Sequence, residues 1–266
     1  MPVLHDFQAL LFDVDNTLNN SQKGISPLTK KMLEELQPKM YLSVCTGRIY
    51  ASLEKYIFPF FASDSLHIIS GGAQLIKTNG EIVWEKLIPQ EISAKLCKQL
   101  LEHQIDFLLS KDQKMFLTPA FQARLTAGVV PISFGNVQTL TEWSTPLISI
   151  PLVTDEVRQI VAQFPDLTVK EMTRSSGTTY FDLTAAGVNK STALEKWSEV
   201  TGIPLERVIG FGDSSNDLEF LEKIGFPIAM GNASAEIQSI SQRVIGHTDQ
   251  DGLAVYLQQI SLGAEL

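Results

Sequence analysis

Asp13-Val14-Asp15-Asn16-Thr17-Leu18 places two carboxylates at i and i+2, directly after the apolar run Ala9-Leu10-Leu11-Phe12. Such a run reads as a strand buried on both faces. Residues two apart at a strand end share one side, so both carboxylates can face one cavity. Held about 4 Å apart at an effective dielectric near 20, they repel by on the order of 4 kcal/mol. A hard divalent cation with oxygen ligands, most simply Mg2+, relieves that repulsion. In open α/β sheets, ligands bind outside the carboxyl ends of the strands, where this pair falls. The plainer alternative is a strand-end turn with two solvated aspartates, since Asp and Asn favour turns.

Three further stretches weigh against the plainer alternative. Thr46-Gly47-Arg48 closes a second apolar run, Met40 to Cys45. A hydroxyl, a glycine N–H and the start of a helix together form an anion site, although Thr-Gly is also an ordinary strand-to-helix turn. Gly210-Phe211-Gly212-Asp213-Ser214-Ser215-Asn216-Asp217 ends another strand and supplies two more carboxylates and an amide. An N-cap at Asn216 or Asp217 would explain part of it, but not Asp213. Lys190, after Gly187-Val188-Asn189, opens a helix from which it can reach an anion at the strand ends, if it is not simply solvated.

Other chemistries fit less well. Ser215 stands where the dinucleotide fingerprint needs its third glycine, and Thr184 and Asn189 stand where a P-loop needs glycines. Cys45 precedes Arg48 by three residues, whereas a cysteine phosphatase needs six, so Cys45 reads as a small buried hydrophobe. His5, His67, His103 and His247 form no cluster and receive no role. Trp84, Trp143 and Trp197 read as core or domain-interface residues.

The elements that must position these residues alternate strand and helix up to Gly72, and again from Ser191 onward. Ser26-Pro27 is an N-cap followed by proline at the first helical position, opening a helix over Leu28 to Leu36. A helix is expected over Ile49 to Ile57, a third strand over Leu66 to Ser70, and a hairpin at Asn79-Gly80. From about Pro89 to Thr184 the rhythm changes to a helix and strand pair, twice over, with the second pair turning at Ser175-Ser176-Gly177. The expected architecture is therefore α/β: residues 1–81 and 186–266 form a Rossmann-like, doubly wound, mostly parallel core, and 82–185 an inserted α+β domain.

Bulk properties narrow the class. The 266 residues are 44% hydrophobic and 19% charged, as in a soluble globular protein. A net charge of −9 argues against a nucleic-acid binder, whose footprint is basic. Two distant cysteines imply no disulfide framework, and no apolar stretch reaches membrane-spanning length. Cytoplasmic location, with neither membrane association nor an obligate protein partner, is the expectation.

In this order the four stretches resemble the motifs of the haloacid dehalogenase superfamily of phosphotransferases. Asp13 to Leu18 is similar to its first motif, Asp-x-Asp-Gly-Thr-Leu; Thr46 matches the second, Lys190 the third, and Gly212 to Asp217 the fourth. Pro227 to Ala233 and Asp251-Gly252-Leu253-Ala254 are similar to the Cof-type hydrolases of subclass IIB, whose α/β cap is inserted between the second and third motifs. Asn16 stands where the family has Gly, and tolerates a left-handed backbone better than most residues. Ser191 replaces another usual Gly, a change expected to be neutral.

The resemblance implies a Mg2+-dependent phosphatase of a small phosphorylated metabolite. Asp13 would be the nucleophile that forms an aspartyl-phosphate, and Asp15 the acid and then the base. Asp13, the backbone carbonyl of Asp15, and Asp213 would hold the metal. Thr46, Gly47, Lys190 and Asn216 would hold the phosphate, with Asp217 orienting Lys190. The cap would read the substrate, and Arg124 is a basic residue within it, more simply a surface arginine. The alternatives are a phosphomutase of the same subclass and a phosphate-accepting regulator, which would leave the inserted block without a purpose.

Overall fold

The computed structural model describes residues 2–20, 24–126, 134–173 and 177–266. In chain order the strands are β1 (Ala9–Phe12), β2 (Tyr41–Val44), β3 (Leu66–Ile69), β4 (Gln74–Lys77), β5 (Ile82–Glu85), β6 (Leu108–Lys111), β7 (Lys114–Leu117), β8 (Phe134–Asn136), β9 (Ile148–Ile150), β10 (Leu167–Thr173), β11 (Thr179–Ala185), β12 (Val208–Gly212), β13 (Phe226–Ala229) and β14 (Arg243–Val244). The helices are α1 (Pro27–Leu36), α2 (Tyr50–Leu53), α3 (Gln90–Glu102), α4 (Pro119–Thr126), α5 (Asp155–Val161), α6 (Lys190–Thr201), α7 (Leu218–Leu221), α8 (Ala235–Ile240) and α9 (Gly252–Ser261).

A parallel sheet in the order β14-β13-β12-β1-β2 carries the chemistry-bearing loops. All four residues of β1 are buried, as their unbroken apolar run requires when helices cover both faces. The chain runs from β1 outward to β2 on one side, then returns to β12 on the other. Strand order therefore reverses between β1 and β12, and the crevice above that switch point receives Asp13 and Asp213.

The third strand is held differently from expectation. β3 pairs antiparallel with β4, and β4 with β5, in a separate three-stranded sheet. Its link to β2 is one bridge, Cys45 to Ile68, reinforced by side chains. The Ser43 hydroxyl donates to the Leu66 carbonyl at 2.7 Å, and Trp197 Nε1 donates to the same oxygen at 2.9 Å. Val44 N–H donates to His67 Nδ1 at 3.2 Å, and His67 Nε2 lies 2.8 Å from the Thr78 hydroxyl. Because Nδ1 accepts, the proton sits on Nε2, which donates to Thr78. His67 thus replaces a missing ladder bond between two strands.

Residues 108–185 build a second, six-stranded sheet, β10-β11-β9-β6-β7-β8, over its own buried cluster that includes Leu96, Phe107, Ile148, Phe181 and Leu183. The chain crosses near Lys86 and Ala186, where Lys86 Nζ donates to the Ala186 carbonyl at 2.8 Å. The expected boundary at residue 82 falls inside the β4–β5 hairpin, between paired strands.

Other departures are local. The helix expected to Ile57 stops at Leu53, because Phe58 precedes Pro59 and the chain turns there. β8 and β14 were not anticipated; at three and two residues they are too short to show a period. The first cap strand begins at Leu108 rather than Ile105. Most of the turn expected at Ser175-Ser176-Gly177, and the end of the helix expected over 119–130, fall outside the described residues. Trp197 is fully buried, while Trp84 and Trp143 pack partly buried against the two clusters.

Burial pushes the His67 pKa down to about 3, against an ordinary 6.5. The unfolded chain binds the proton below pH 6.5 while the folded one refuses it. Stability is thus present above pH 6.5 and is lost as pH falls toward 3, by on the order of 3–5 kcal/mol. His67→Gln should be less stable than wild type at pH 7.5, and the gap should close as pH falls to 4. Parallel denaturant-midpoint curves across that range would contradict the assignment.

Candidate active site

The turn after β1 is set by backbone bonds: Leu18 N–H donates to the Asp13 carbonyl and Asn19 N–H to that of Val14. Asn16 takes φ +58°, the left-handed conformation a glycine would adopt, so the turn survives the replacement. This geometry drives the Asp13 side chain inward to 3% exposure and leaves Asp15 exposed.

Lys190, 4% exposed, is the first residue of α6, whose cap is a reciprocal pair between Asn189 and Thr192. Gly72, at φ +99°, lies so close to Asn189 that a Cβ would meet its carbonyl at 2.1 Å. The loop after β3 is therefore pressed against the residue that aims Lys190. Nζ donates to Asp13 Oδ1 at 2.8 Å and to Asp217 Oδ1 at 2.6 Å.

Asp217 is fully buried. Its other oxygen accepts from the Asp213 and Ser214 N–H groups, both at 3.1 Å. Gly212 makes room for it, since a Cβ there would lie 2.8 Å from the Asp217 Cβ. Asp213, 9% exposed, has its Oδ1 buried with no hydrogen-bond partner among the described residues.

Asp13, Asp213 and Asp217 each offer an oxygen within 4.8 Å of the others. Three buried carboxylates thus face one buried ammonium. Burial and the neighbouring Asp217 push the Asp13 carboxyl well above its usual range, against the pull of Lys190. The same two causes raise Asp213 to about 7. Burial acts to lower the Lys190 pKa, but Asp13 and Asp217 overcome it and hold the ammonium charged. The pocket is short of positive charge, and a proton or a divalent cation can supply it. The orphaned Asp213 oxygen and the all-oxygen donor set fit a hard cation.

The carboxylate of Asp15 is not in this cluster, contrary to the expectation that both strand-end carboxylates face one cavity. It turns to Arg48, which grips both oxygens at 2.9 and 2.6 Å. A guanidinium fork outcompetes a shared cavity for an exposed carboxylate. Asp217 takes its place, so the residue expected only to orient Lys190 is also the third carboxylate. Arg48, to which the sequence assigned no role, is the partner of Asp15.

Thr46 is buried at the end of β2, its hydroxyl accepting from Arg48 N–H at 3.1 Å, with Gly47 beside it. Asn216 is half-buried, and its Oδ1 accepts from the Ser214 hydroxyl. Cys45 is fully buried, and burial raises its thiol pKa, as befits a packing residue. The side chain of Arg124 lies outside the described residues.

Comparisons with known proteins bear on the family and the fold. The family described as haloacid dehalogenase-like hydrolase matches residues 10–257. The chain is 25% identical over 251 residues to the 5-amino-6-(5-phospho-D-ribitylamino)uracil phosphatase YcsE of Bacillus subtilis (strain 168), covering 94% of each. It is 26% identical over 267 residues to the pyridoxal phosphate phosphatase YbhA of Escherichia coli (strain K12), covering 94% of this chain and 97% of that one. Among solved structures, that of the subclass IIB sugar phosphatase BT4131 has a TM-score of 0.76 at 20% identity, covering 96% of this chain and 99% of that one, a likeness of fold.

Two outcomes follow from the charge balance. A divalent cation must displace the proton on Asp213, so its affinity should rise about tenfold between pH 6 and pH 8; calorimetric titration yielding equal affinities would contradict this. Asp217→Ala leaves two N–H groups unbonded and a buried ammonium half-paired, and should cost about 3–5 kcal/mol. Denaturant melts would reveal it, and a loss under 1 kcal/mol would overturn it.

Proposed function

The chain belongs to the haloacid dehalogenase-like hydrolase family, and on that premise we propose that it is a Mg2+-dependent phosphatase of a small phosphorylated metabolite, acting through an aspartyl-phosphate on Asp13. The observation that carries this reading is the buried group formed by Asp13, Asp213, Asp217 and Lys190 at the carboxyl ends of β1 and β12. The phosphatase names of the curated relatives agree with it.

In the proposed reaction an Asp13 oxygen attacks phosphorus, and the bond from phosphorus to the leaving oxygen breaks. Asp15, once released from Arg48, gives that oxygen a proton and so becomes the base that takes one from the attacking water. Water then cleaves the Asp13 acyl phosphate, releasing inorganic phosphate and restoring the free carboxylate. Lys190 holds a phosphoryl oxygen while its second bond, to Asp217, fixes its direction. Thr46, Gly47 and Asn216 supply the remaining donors. Asp13, Asp213 and the Asp15 carbonyl would hold Mg2+, which when bound offsets the charge on the transferring group.

Two bodies are part of the same proposal: a core of roughly 1–81 and 186–266, and a cap over 82–185. Separate sheets and separate buried clusters support it, as do the chain crossings near Lys86 and Ala186. Closure would exclude water during the first step.

Phosphate release from metabolite monophosphates with Mg2+ tests the activity, and full activity after exhaustive chelation would remove the metal from it. Asp13→Asn should abolish turnover and leave the metal-free melting midpoint unchanged or slightly raised, because a buried like-charge contact is relieved. Return of the phosphoryl group to substrate, without inorganic phosphate, would indicate a mutase. Asp15→Asn should slow an alkyl ester about 10²–10⁴-fold, while nitrophenyl phosphate, with its good leaving group, still phosphorylates Asp13. Lacking the base for hydrolysis, the acid-quenched variant should carry one labile phosphoryl group, visible as a mass increase. Equal slowing of both substrates with no trapped adduct would leave Asp15 without that role.

A further inference from the structure

Two stretches of the tail, Pro227 to Ala233 and Asp251 to Ala254, contribute no group to the proposed reaction. Together they brace the turns that do. From the loop after β13, Met230 N–H donates to the Gly212 carbonyl at 3.1 Å and Ser234 N–H to that of Asp213 at 2.9 Å. Between them, Asn232 Nδ2 donates to the Asn16 carbonyl at 3.0 Å. One short loop thus ties the turn after β1 to the loop after β12, the two that carry Asp13 and Asp213.

The direction of the Asn232 amide is set from the other stretch. Its Oδ1 accepts from Thr248 N–H at 3.0 Å, a group that can only donate, so Nδ2 is left to face Asn16. Close backbone contacts bring Thr248 there. Gly231 N–H donates to the Gly246 carbonyl at 3.2 Å, and a Cβ on Gly231 would lie 2.8 Å from the His247 nitrogen. A Cβ on Gly252 would meet the Gly246 carbonyl oxygen at 2.1 Å. Asp251, at φ +55°, turns the chain into α9 at this approach.

Asn232 holds a strained residue. Asn16 takes φ +58°, a conformation that strains a residue with a Cβ and leaves glycine unstrained. Its backbone is pinned at both ends: the N–H donates to the Asn19 carbonyl at 2.9 Å, and the carbonyl accepts from Asn232. The Asn16 N–H and the Asp15 carbonyl belong to one planar trans peptide and point in opposite directions. Pinning Asn16 therefore aims the Asp15 carbonyl, which takes no hydrogen bond from the described residues.

We propose that Asn232 is a positioning residue for the metal: by holding Asn16 left-handed it aims the Asp15 carbonyl, and so sets the affinity of the site for Mg2+. This rests on the phosphatase reading above, in which that carbonyl is a ligand. Without Asn232 nothing holds the Asn16 carbonyl, the strained turn can relax, and the peptide before it rotates. Part of the cation's binding energy then goes into restoring the turn.

The test is calorimetric titration of the substrate-free, full-length protein with Mg2+, alongside kinetics and thermal melts. Asn232→Ala should weaken Mg2+ binding about tenfold, the worth of one hydrogen bond. The Mg2+ concentration for half-maximal phosphate release should rise in step, while kcat at saturating Mg2+ and KM for the ester stay near wild type. Asn16→Gly, which accepts the left-handed turn without strain, should restore most of that affinity in the Asn232→Ala background. Thr248→Pro keeps Asn232 but removes the N–H that fixes its amide. Thr248 opens a 3-10 turn, where proline fits, so this variant should lose affinity in the same direction by less. Should Asn232→Ala fail to melt cooperatively, Thr248→Pro at wild-type affinity would overturn the proposal. Equal Mg2+ affinity in wild type and Asn232→Ala, a lower melting midpoint with affinity unchanged, or a loss that Asn16→Gly leaves standing would also overturn it, with the phosphatase reading intact. A wild type that binds no Mg2+ would overturn both the proposal and the metal in that reading.

Discussion

The structure depends on one ammonium group. Lys190 is buried among carboxylates drawn from the turn after β1 and the loop after β12, and its two short bonds to Asp13 and Asp217 are what join those loops. Burying ions is expensive, and the attraction recovers the loss only where the remaining lone pairs are satisfied. Asp217 meets that condition, because backbone N–H groups of its own loop take its second oxygen. Asp213 does not meet it, since its Oδ1 has no partner among the described residues. A proton or a hard cation at that oxygen would complete the charge balance.

Everything else in the core serves to keep that ammonium in place. The parallel sheet presents strand ends on one edge, and reversal of strand order between β1 and β12 opens the crevice there. Gly212 lets Asp217 fold back onto its own strand, and Gly72 lets the loop after β3 press on the start of α6. Each fixes the direction of a charged group from outside the cluster. Among the described residues, the second sheet contributes no carboxylate to that cluster.

How much of this was legible in the sequence follows from physical scale. Asp13, Thr46, Lys190 and Asp213 could be read because an apolar run followed by a polar, turn-forming group is a local pattern, and strand ends gather on one edge whatever the side chains do. Asn16 could be read for its backbone, since the left-handed turn is a property of one residue. The partners of Arg48 and Asp15 could not, because which of two reachable charges a guanidinium takes is decided in three dimensions. β3 was expected as a third strand with no partner assigned, and a histidine ring standing in for a backbone acceptor has no signature in hydrophobic patterning.

The pairing of β1 has a consequence for how the protein is made. Ala9 pairs with Val208 and Phe12 with Phe211, so the first strand of the chain lies between β2 and a partner that emerges from the ribosome long after it. The six-stranded sheet, built wholly from residues 108–185, is complete before that partner exists. During synthesis the newborn core therefore presents an apolar open edge and a carboxylate lacking its lysine, while the later-made insert has already folded. The segment most exposed to wrong partners in the cell is thus the one that carries Asp13, and chaperones that shield nascent chains would have their main work on this protein over its first quarter.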